Sequence, residues 1–554
     1  MCLLHVFVKL RYRVETASID VAEREMLQQV KEGDYAQLGA QKFRPLRTNA
    51  LKEFDGGGKK VLHGRKVRPP SMLLWTRMHH WSRIKLLSAN ALSVSDDRQR
   101  LAQRALSWAA LVFITWFAIH FSQERLYADA AYFLTQVVAK GAFHIINGRW
   151  LIPLTQWMPL VGVHLGLPVE ALISLFSLGN VVLACLAFLF VTRVLKDPDS
   201  GTILLATQFV GLTHALFCPI FEFYYGALLL VVFYAVLRTQ RLRPASRSIL
   251  LSVLFVLVIS SHFMGLLVML LLLTLEKVWK DQRLTAWLII LLALQLGQRL
   301  FTLSAYESHA FDTVFIRWNL WGLSWLFAPG RLVGHFVHGV LHYPDTLALA
   351  TVCSIVLILK KKMWELCLLL GGLIAMYVLI GLFFPDGTHD RYREIQDYPP
   401  TAWVLMVLGT QVINIQRIRP IIIGLLFLSL VFRALWSTHV AATYTERLAW
   451  TQQRMEAARA QGSRRAADLK RKIFIPPGIN TAPLAKLGPC EVLLFSACKG
   501  PDAVLVLVPV TVEDLRPDLT VWLEFQLAQF GTELPFGSEG YYFHMPKDEF
   551  RVMR

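Results

Sequence analysis

Long apolar runs constrain this chain more than any other feature of its sequence. A helix needs about 20 largely apolar residues to cross a bilayer, because hydrocarbon offers no partner to a bare backbone N–H or C=O group. Hydrophobic residues make up 55% of the 554 residues and charged residues only 17%, so a water-exposed globule could not bury the apolar surface. The chain is therefore predicted to be a polytopic membrane protein.

Eleven segments are predicted to cross the membrane as helices. The stretch 248–275 is too long for one ordinary span and contains Ser260-Ser261-His262 near its middle, so we interpret it as two short helices joined by a tight turn. The predicted fold class is an all-α polytopic membrane protein with a small α/β C-terminal segment outside the membrane. The predicted spans are 105–122, 168–192, 201–221, 223–237, 248–260, 263–275, 284–303, 345–359, 363–384, 401–415 and 420–436.

Basic residues give these spans a predicted direction. With the N-terminus in the cytoplasm, Lys and Arg concentrate in the short loops and are sparse in the longer loops opposite. An odd number of spans then places the C-terminus on the non-cytoplasmic side. The expected location is a bacterial inner (plasma) membrane. The cytoplasmic loops on this prediction are 193–200, 238–247, 276–283, 360–362 and 416–419.

The net charge of +18 does not indicate a nucleic-acid partner. The excess lies in the N-terminal arm and the short loops, where membrane proteins carry their orientation charges. Residues 1–75 form a basic arm predicted to be disordered, and Met72 leaves a later start open. We expect a cytoplasmic lead-in helix at 76–104, the transmembrane domain at 105–436, and a non-cytoplasmic segment with mixed helix and strand patterns at 437–554.

Polar residues gather in three loops on the predicted non-cytoplasmic side, at 123–167, 304–344 and 385–400. All eleven histidines between residues 105 and 439 fall in these loops or at helix ends on the same side. The sequence therefore predicts a polar chamber that faces away from the cytoplasm. The candidate functional residues on that side are Glu124, Asp129, Arg149, Glu222, Arg299, Asp390, Arg391, Tyr392 and Arg393.

Two of these loops carry a resemblance to a known superfamily. The segment Glu124–Phe133 places Asp129 soon after the first span, and Arg391-Tyr392 precedes Pro399-Pro400 ahead of the last spans. Together with the span number and direction, this layout resembles the GT-C superfamily of membrane glycosyltransferases. Many members have paired acids in the first loop, whereas Asp129 has no acidic neighbour here.

The resemblance implies a polyprenyl-phosphate-linked sugar donor and an acceptor glycan, lipid or protein on the non-cytoplasmic face. Asp129 would take the proton of the acceptor hydroxyl as general base. The leaving lipid phosphate needs cations, and the implied phosphate or substrate ligands are Arg149, Arg299, Arg391, Tyr392 and Arg393. Glu124, Glu222 and Asp390 are the supporting acids. A divalent cation is the one cofactor left open.

Other functional classes stay open at this point. A transporter or flippase of a lipid-linked saccharide would place charged groups near the bilayer midplane and show internal repeats, and neither is evident. A non-catalytic subunit of envelope polysaccharide assembly, acting through its C-terminal segment, is a third class that no residue pattern excludes.

Simpler roles also compete for individual residues. Asp129 is equally suited to capping a helix or lying at the interface. Arg391 and Arg393 could form salt bridges inside their own loop, with Asp386, Asp390, Glu394 and Asp397 as the acids.

Two further residue sets have a functional and a plain interpretation. His335, His338 and His342 would share one helical face, which suits either a metal site or an interfacial helix. Cys490 and Cys498 would form a disulfide in an oxidising compartment, or stay two unrelated thiols.

Overall fold

The computed structural model describes residues 74–127, 129–145, 149–301, 332–383, 390–462, 465–469, 482–510, 541–544 and 551–553. The chain divides into two compact units, Met1–His79 and His80–Arg554, and apart from 74–79 the described residues belong to the second. Nearly all of the predicted N-terminal arm, most of loop 304–344, residues 384–389 and the side chains of 390–393 lie outside the described residues.

The described residues are mostly helical. Helix α1 includes both the predicted lead-in helix and the first span, and α14 continues without a break past the predicted domain boundary at 437. The helices are α1 (Leu74–His120), α2 (Asp129–Lys140), α3 (Pro153–His164), α4 (Val169–Leu189), α5 (Pro198–Ala206), α6 (Glu222–Arg238), α7 (Pro244–Ser261), α8 (Phe263–Leu275), α9 (Gln282–Phe301), α10 (Leu332–His342), α11 (Pro344–Leu359), α12 (Met363–Phe383), α13 (Asp390–Val407), α14 (Arg419–Ala460) and α15 (Ala482–Ala497).

Five of the described helices are long and apolar enough to cross a membrane: Asp97–His120 within α1, α4 with its π-helical end to Val194, α7, α12 and α14. A sixth span results if α10 and α11, which bend by 95° at their junction, are counted as one broken span. The helical, membrane-compatible class is therefore confirmed. The count of eleven spans stays a prediction.

The helix break predicted at Ser260-Ser261-His262 is confirmed. Helix α7 ends at Ser261, and His262 is extended with φ −159° and ψ 152°. Its ring accepts the N–H of Met264 at 3.2 Å, which caps α8. A Cβ on Gly265 would lie 2.6 Å from the carbonyl oxygen of Val258, so α8 turns back along the end of α7.

The segment 201–221 is not the single helix that was predicted. Helix α5 ends at Ala206, turns follow, and a short 3-10 turn occupies His214–Phe217. The run is apolar on average, so mean hydropathy does not detect this break. Its polar residues Thr207, Gln208 and Thr213 are buried in the structure. Helix α6 follows, and residues 223–236 of it are all buried.

Helix α14 is much longer than the span 420–436 predicted within it. Its 42 residues extend about 63 Å at the usual rise, roughly twice the thickness of a bilayer's hydrocarbon core. The second half carries Tyr444 and Arg447, which are both buried. The Arg447 guanidinium lies 2.6 Å from Glu491 of α15, and both side chains are 1% exposed. The long helix thus anchors the C-terminal segment.

Three short parallel strands pair in that segment, in the order β2 (Val506–Val510), β1 (Arg465–Leu469) and β3 (Arg551–Met553). Arg465 is opposite Val506, and Ala466 is opposite Arg551. Helix α15 packs against both β2 and α2. The α/β organisation of the whole segment stays a prediction, since 511–540 lie outside the described residues.

Candidate functional site

The 3-10 turn His214–Phe217, hereafter the central turn, is held by a buried carboxylate. Glu394 of α13 accepts the backbone N–H groups of Thr213, His214 and Ala215 at 2.5, 2.9 and 2.8 Å. Three N–H groups aimed at one carboxylate form a strong anion site, which offsets the loss of hydration. Glu394 is 3% exposed, so the start of α13 is fixed to the central turn.

The first predicted outer loop reaches the same turn from the other side. Its 3-10 segment Glu124–Leu126 packs against the central turn and against α14. The ring of Tyr444 stacks on Phe217 with centroids 4.0 Å apart, and its hydroxyl lies 3.3 Å from Nδ1 of His214. Tyr127 meets Tyr444 edge-on at 5.9 Å. The two loops that carry the resemblance therefore converge on the central turn.

Asp129 is the first residue of α2 and is partly exposed. Part of this residue is therefore accessible from outside the protein. Glu124 is buried instead, and its Oε1 accepts the hydroxyl proton of Thr445 at 3.1 Å. That contact ties the first loop to α14.

Arg125, which sequence reasoning did not select, is locked into the protein. It donates to the carbonyl and hydroxyl oxygens of Ser177 at 2.7 and 2.9 Å, and to Oδ1 of Asn180 at 2.9 Å. Burial lowers the pKa of its guanidinium. Arg125 thus fixes the first outer loop to α4.

Three other predicted residues gather near the break between α7 and α8. The Arg149 guanidinium lies 2.7 Å from Oε1 of Glu222, and both side chains keep some exposure. Arg299 donates to the Ser260 carbonyl at 3.4 Å. Burial, and then the positive charges of Arg149 and Arg299, lower the pKa of His262 from 6.5 to about 3. The structure therefore places the Arg149–Glu222 ion pair and Arg299 beside His262.

Two of the three clustered histidines face one carboxylate. Nδ1 of His338 lies 3.1 Å from Oδ2 of Asp397, and Nδ1 of His335 lies 3.5 Å from Oδ1. His342 stacks on His338 with centroids 4.0 Å apart. Across the described part of the chain, no three His, Cys, Asp or Glu side chains could hold a metal ion. The metal interpretation thus has no ligand geometry to support it.

Asp345 and Arg433 form a bidentate ion pair that sequence reasoning missed. The distances are 2.9 Å from Nε to Oδ2 and 2.5 Å from Nη2 to Oδ1, and Arg433 is 1% exposed. Arg433 also donates to the Thr213 hydroxyl at 2.8 Å, and Asp345 accepts the Gly211 N–H at 3.2 Å. The sequence contains a signal for this pair, since an arginine inside the predicted span 420–436 requires a partner.

An apolar cavity of about 530 Å³ opens beside these groups, between helices α10, α11, α12 and α13. Tyr343 at its wall lies 5.7 Å, ring to ring, from His338, which binds Asp397. The cavity therefore borders the polar cluster at one end. Its apolar lining includes Phe336, Leu347, Leu370, Ile374 and Val404.

The predicted disulfide is wrong. Cys490 and Cys498 are both free thiols, the first buried and the second partly buried. Cys490 lies within α15 and Cys498 directly follows it, so eight residues of nearly helical rise separate them by roughly 12 Å. A disulfide requires Cα atoms within about 7 Å. Burial raises the pKa of both thiols to about 12.

The remaining predicted residues lie in the first turn of α13. Asp390, Arg391, Tyr392 and Arg393 are helical, and their side chains fall outside the described residues. Two of the four acids proposed as their internal partners are otherwise engaged. Glu394 binds backbone N–H groups, and Asp397 faces two histidines.

The convergence of both loops on the central turn thus comes from the geometry of this chain alone. No family model, curated protein or solved structure matches this chain.

Proposed function

We propose that this chain is a membrane glycosyltransferase that moves a sugar from a polyprenyl-phosphate-linked donor to an acceptor on the non-cytoplasmic face. The observation that carries the proposal is the convergence on the central turn. Glu394 binds that turn from α13, whose first turn contains Arg391 and Arg393, and Tyr444 links it to Tyr127, two residues before Asp129. Asp129 and the two arginines thus belong to segments that both pack against the central turn.

The apolar cavity supports the lipid part of the proposal. A polyprenyl chain needs an apolar path that ends beside polar groups able to receive a phosphate. The cavity of about 530 Å³ meets that need, with Tyr343 marking its polar border. The lipid tail would lie against α12 and α13, and the sugar would then face the central turn.

The residues have separate roles in the proposed transfer. Asp129 accepts the proton of the acceptor hydroxyl as the acceptor oxygen bonds to the anomeric carbon. The bond between that carbon and the phosphate oxygen breaks, and its electron pair leaves with the lipid phosphate. Arg391 and Arg393 stabilise the developing phosphate charge, and Arg299, beside the ion pair of Arg149 and Glu222, offers a further cation. The anomeric configuration inverts.

Replacing Asp129 with Asn tests the proposal. We expect sugar transfer to fall by at least about a hundredfold, because a general base contributes roughly that factor or more. The measurement is turnover in proteoliposomes with defined polyprenyl-phosphate sugars, together with glycan composition in cells that express the variant. Membrane levels of the variant are measured alongside.

Glu170→Gln provides the matched control. Glu170 also lies in the first turn of a helix and is exposed, so its replacement removes the same helix-end charge. Activity should persist in Glu170→Gln. Equal activity of Asp129→Asn and the wild type would sink the assignment of the base, and unchanged glycans in a full deletion would sink the proposed function.

A further inference from the structure

A second cavity, of about 550 Å³, lies at the opposite end of the helices, among α1, the end of α4 and the start of α5. Every charged residue in its lining is a cation. These are Arg100, Arg104, Arg193 and Lys196. They lie between two helices that are each long and apolar enough to span a membrane.

The acids nearest this cavity are already engaged. Asp197 accepts the N–H and hydroxyl of Ser200 at 3.0 and 2.7 Å, which caps α5. Asp199 forms an ion pair with Arg419 at 2.8 Å and accepts from Gln103 at 2.9 Å. Asp199 is thus neutralised by Arg419, and the four cations of the lining outnumber the remaining charge of Asp197.

Three of the cations are available to a ligand. Arg104, Arg193 and Lys196 are exposed, and within the described residues none of them forms an ion pair or side-chain hydrogen bond. Lys196 also has a φ of 59°, a left-handed conformation that favours glycine. Lys196 lies two residues after the π-helical end of α4 at Val194, and Arg193 lies within that end.

The other part of the lining is apolar. Trp108 is 63% exposed and stands one helical turn beyond Arg104, so both occupy one face of α1. Phe188 and Leu189 line the cavity from α4. An exposed tryptophan beside arginines at a span end is typical of the membrane interface. A cationic rim above an apolar wall fits an amphipathic ligand better than a free anion.

We propose that this cavity binds the headgroup of an anionic phospholipid. The phosphodiester lies among Arg104, Arg193 and Lys196, and the glycerol and upper acyl chain lie against Trp108 and Phe188. Basic pockets between transmembrane helices are suited to such headgroups. The site is separate from the central turn, and its occupancy does not depend on the proposed sugar transfer.

Native mass spectrometry of the full chain in detergent tests the site, with phosphatidylglycerol and phosphatidylcholine as probes. We expect tighter retention of phosphatidylglycerol. In the triple variant Arg104→Gln, Arg193→Gln, Lys196→Gln its affinity should fall by about 100-fold, given the usual contribution of a basic residue near an anionic surface. The matched control replaces Arg241, Arg243 and Lys360, which are equally exposed basic residues outside the cavity, and it should bind like the wild type.

Photo-crosslinking of wild-type protein with a diazirine-labelled phosphatidylglycerol gives a second readout that needs no variant. The labelled peptides should come from 97–108 and 188–202. Equal retention of both lipids, or an unchanged triple variant, would overturn the proposal. Displacement of phosphatidylglycerol by millimolar inorganic phosphate would overturn it as well, since the site would then be one for a free anion.

Discussion

At the end of the molecule with the predicted outer loops, the carboxylates of Asp345, Glu394 and Asp397 are withdrawn from solvent and each is held by another element. At the opposite end, Arg104, Arg193 and Lys196 stand exposed around a cavity. Burying a charge is costly unless a partner is in place, whereas an exposed charge contributes little to stability. The charges at the first end, hereafter the outer end, therefore specify geometry, and those at the opposite end, hereafter the inner end, remain exposed.

The largest test of this contrast is Arg433→Met. Asp345 would then lie uncompensated with its side chain 6% exposed, so we expect the free energy of unfolding to fall by about 3 to 5 kcal/mol. Denaturant unfolding of the purified chain in micelles measures it. Arg193→Met at the inner end should change it by less than about 0.5 kcal/mol. Equal effects of the two substitutions on the free energy of unfolding would contradict the difference between the two ends.

A second test isolates the carboxylate that holds the central turn. Glu394→Gln keeps one acceptor oxygen but removes the charge from a site with three backbone donors, so stability should fall by about 2 kcal/mol. Glu365→Gln is the inner-end counterpart, because Glu365 lies in the first turn of α12 and accepts no hydrogen bond from the described residues. A drop of similar size in Glu365→Gln would argue against a special role of the central turn.

The third test uses pH. Since the pKa of His262 is about 3 in the folded protein and 6.5 normally, the unfolded chain binds an extra proton between these values. The contribution of His262 to the free energy of unfolding is therefore greatest above pH 6.5. It falls as the pH drops, by at most about 2 kcal/mol between pH 6.5 and 5. The His262→Asn variant keeps a capping acceptor for Met264 and should lose this part of the pH dependence. Parallel pH profiles of the variant and the wild type would show that His262 does not cause this pH dependence.

The smallest expected effect is at the inner end. Lys361 has a φ of 55° just after α11, where glycine is the usual residue. Lys361→Gly should raise the free energy of unfolding by about 0.5 to 1 kcal/mol, as relief of strain exceeds the added chain entropy. Lys360→Gly is the control, because Lys360 has an ordinary φ of −86° and its replacement should be destabilising. Stabilisation by both would point to removal of charge as the cause.

The helices and the break at His262 could be predicted because they depend on local pattern. Apolar runs of fixed length determine where a helix can cross, and the polar triplet at 260–262 interrupts one of them. The break within 201–221 could not be predicted in this way. It rests on Glu394 and Arg433, about 180 and 220 residues further along the chain.

The candidate site likewise has a part that the sequence could predict and a part that it could not. The sequence could place Arg149, Glu222 and Arg299 on one side of the membrane, because the predicted spans begin or end there. The partners of Asp397 and Asp345 depend on which helices are neighbours, and hydropathy carries no such information. The disulfide prediction failed for a related reason, since closeness in sequence becomes a fixed separation once a helix forms between the cysteines.

The packing of α15 against α2 also sets the order in which the molecule is completed. The Thr135 hydroxyl donates to the Cys490 carbonyl at 3.4 Å across 355 residues of sequence. At usual translation rates a ribosome needs on the order of 20 to 70 s to synthesise that interval. Helix α2, with Asp129 at its start, is therefore made early, and its contact with α15 forms only when the last part of the chain emerges. An interrupted translation product would carry the acid but lack its support.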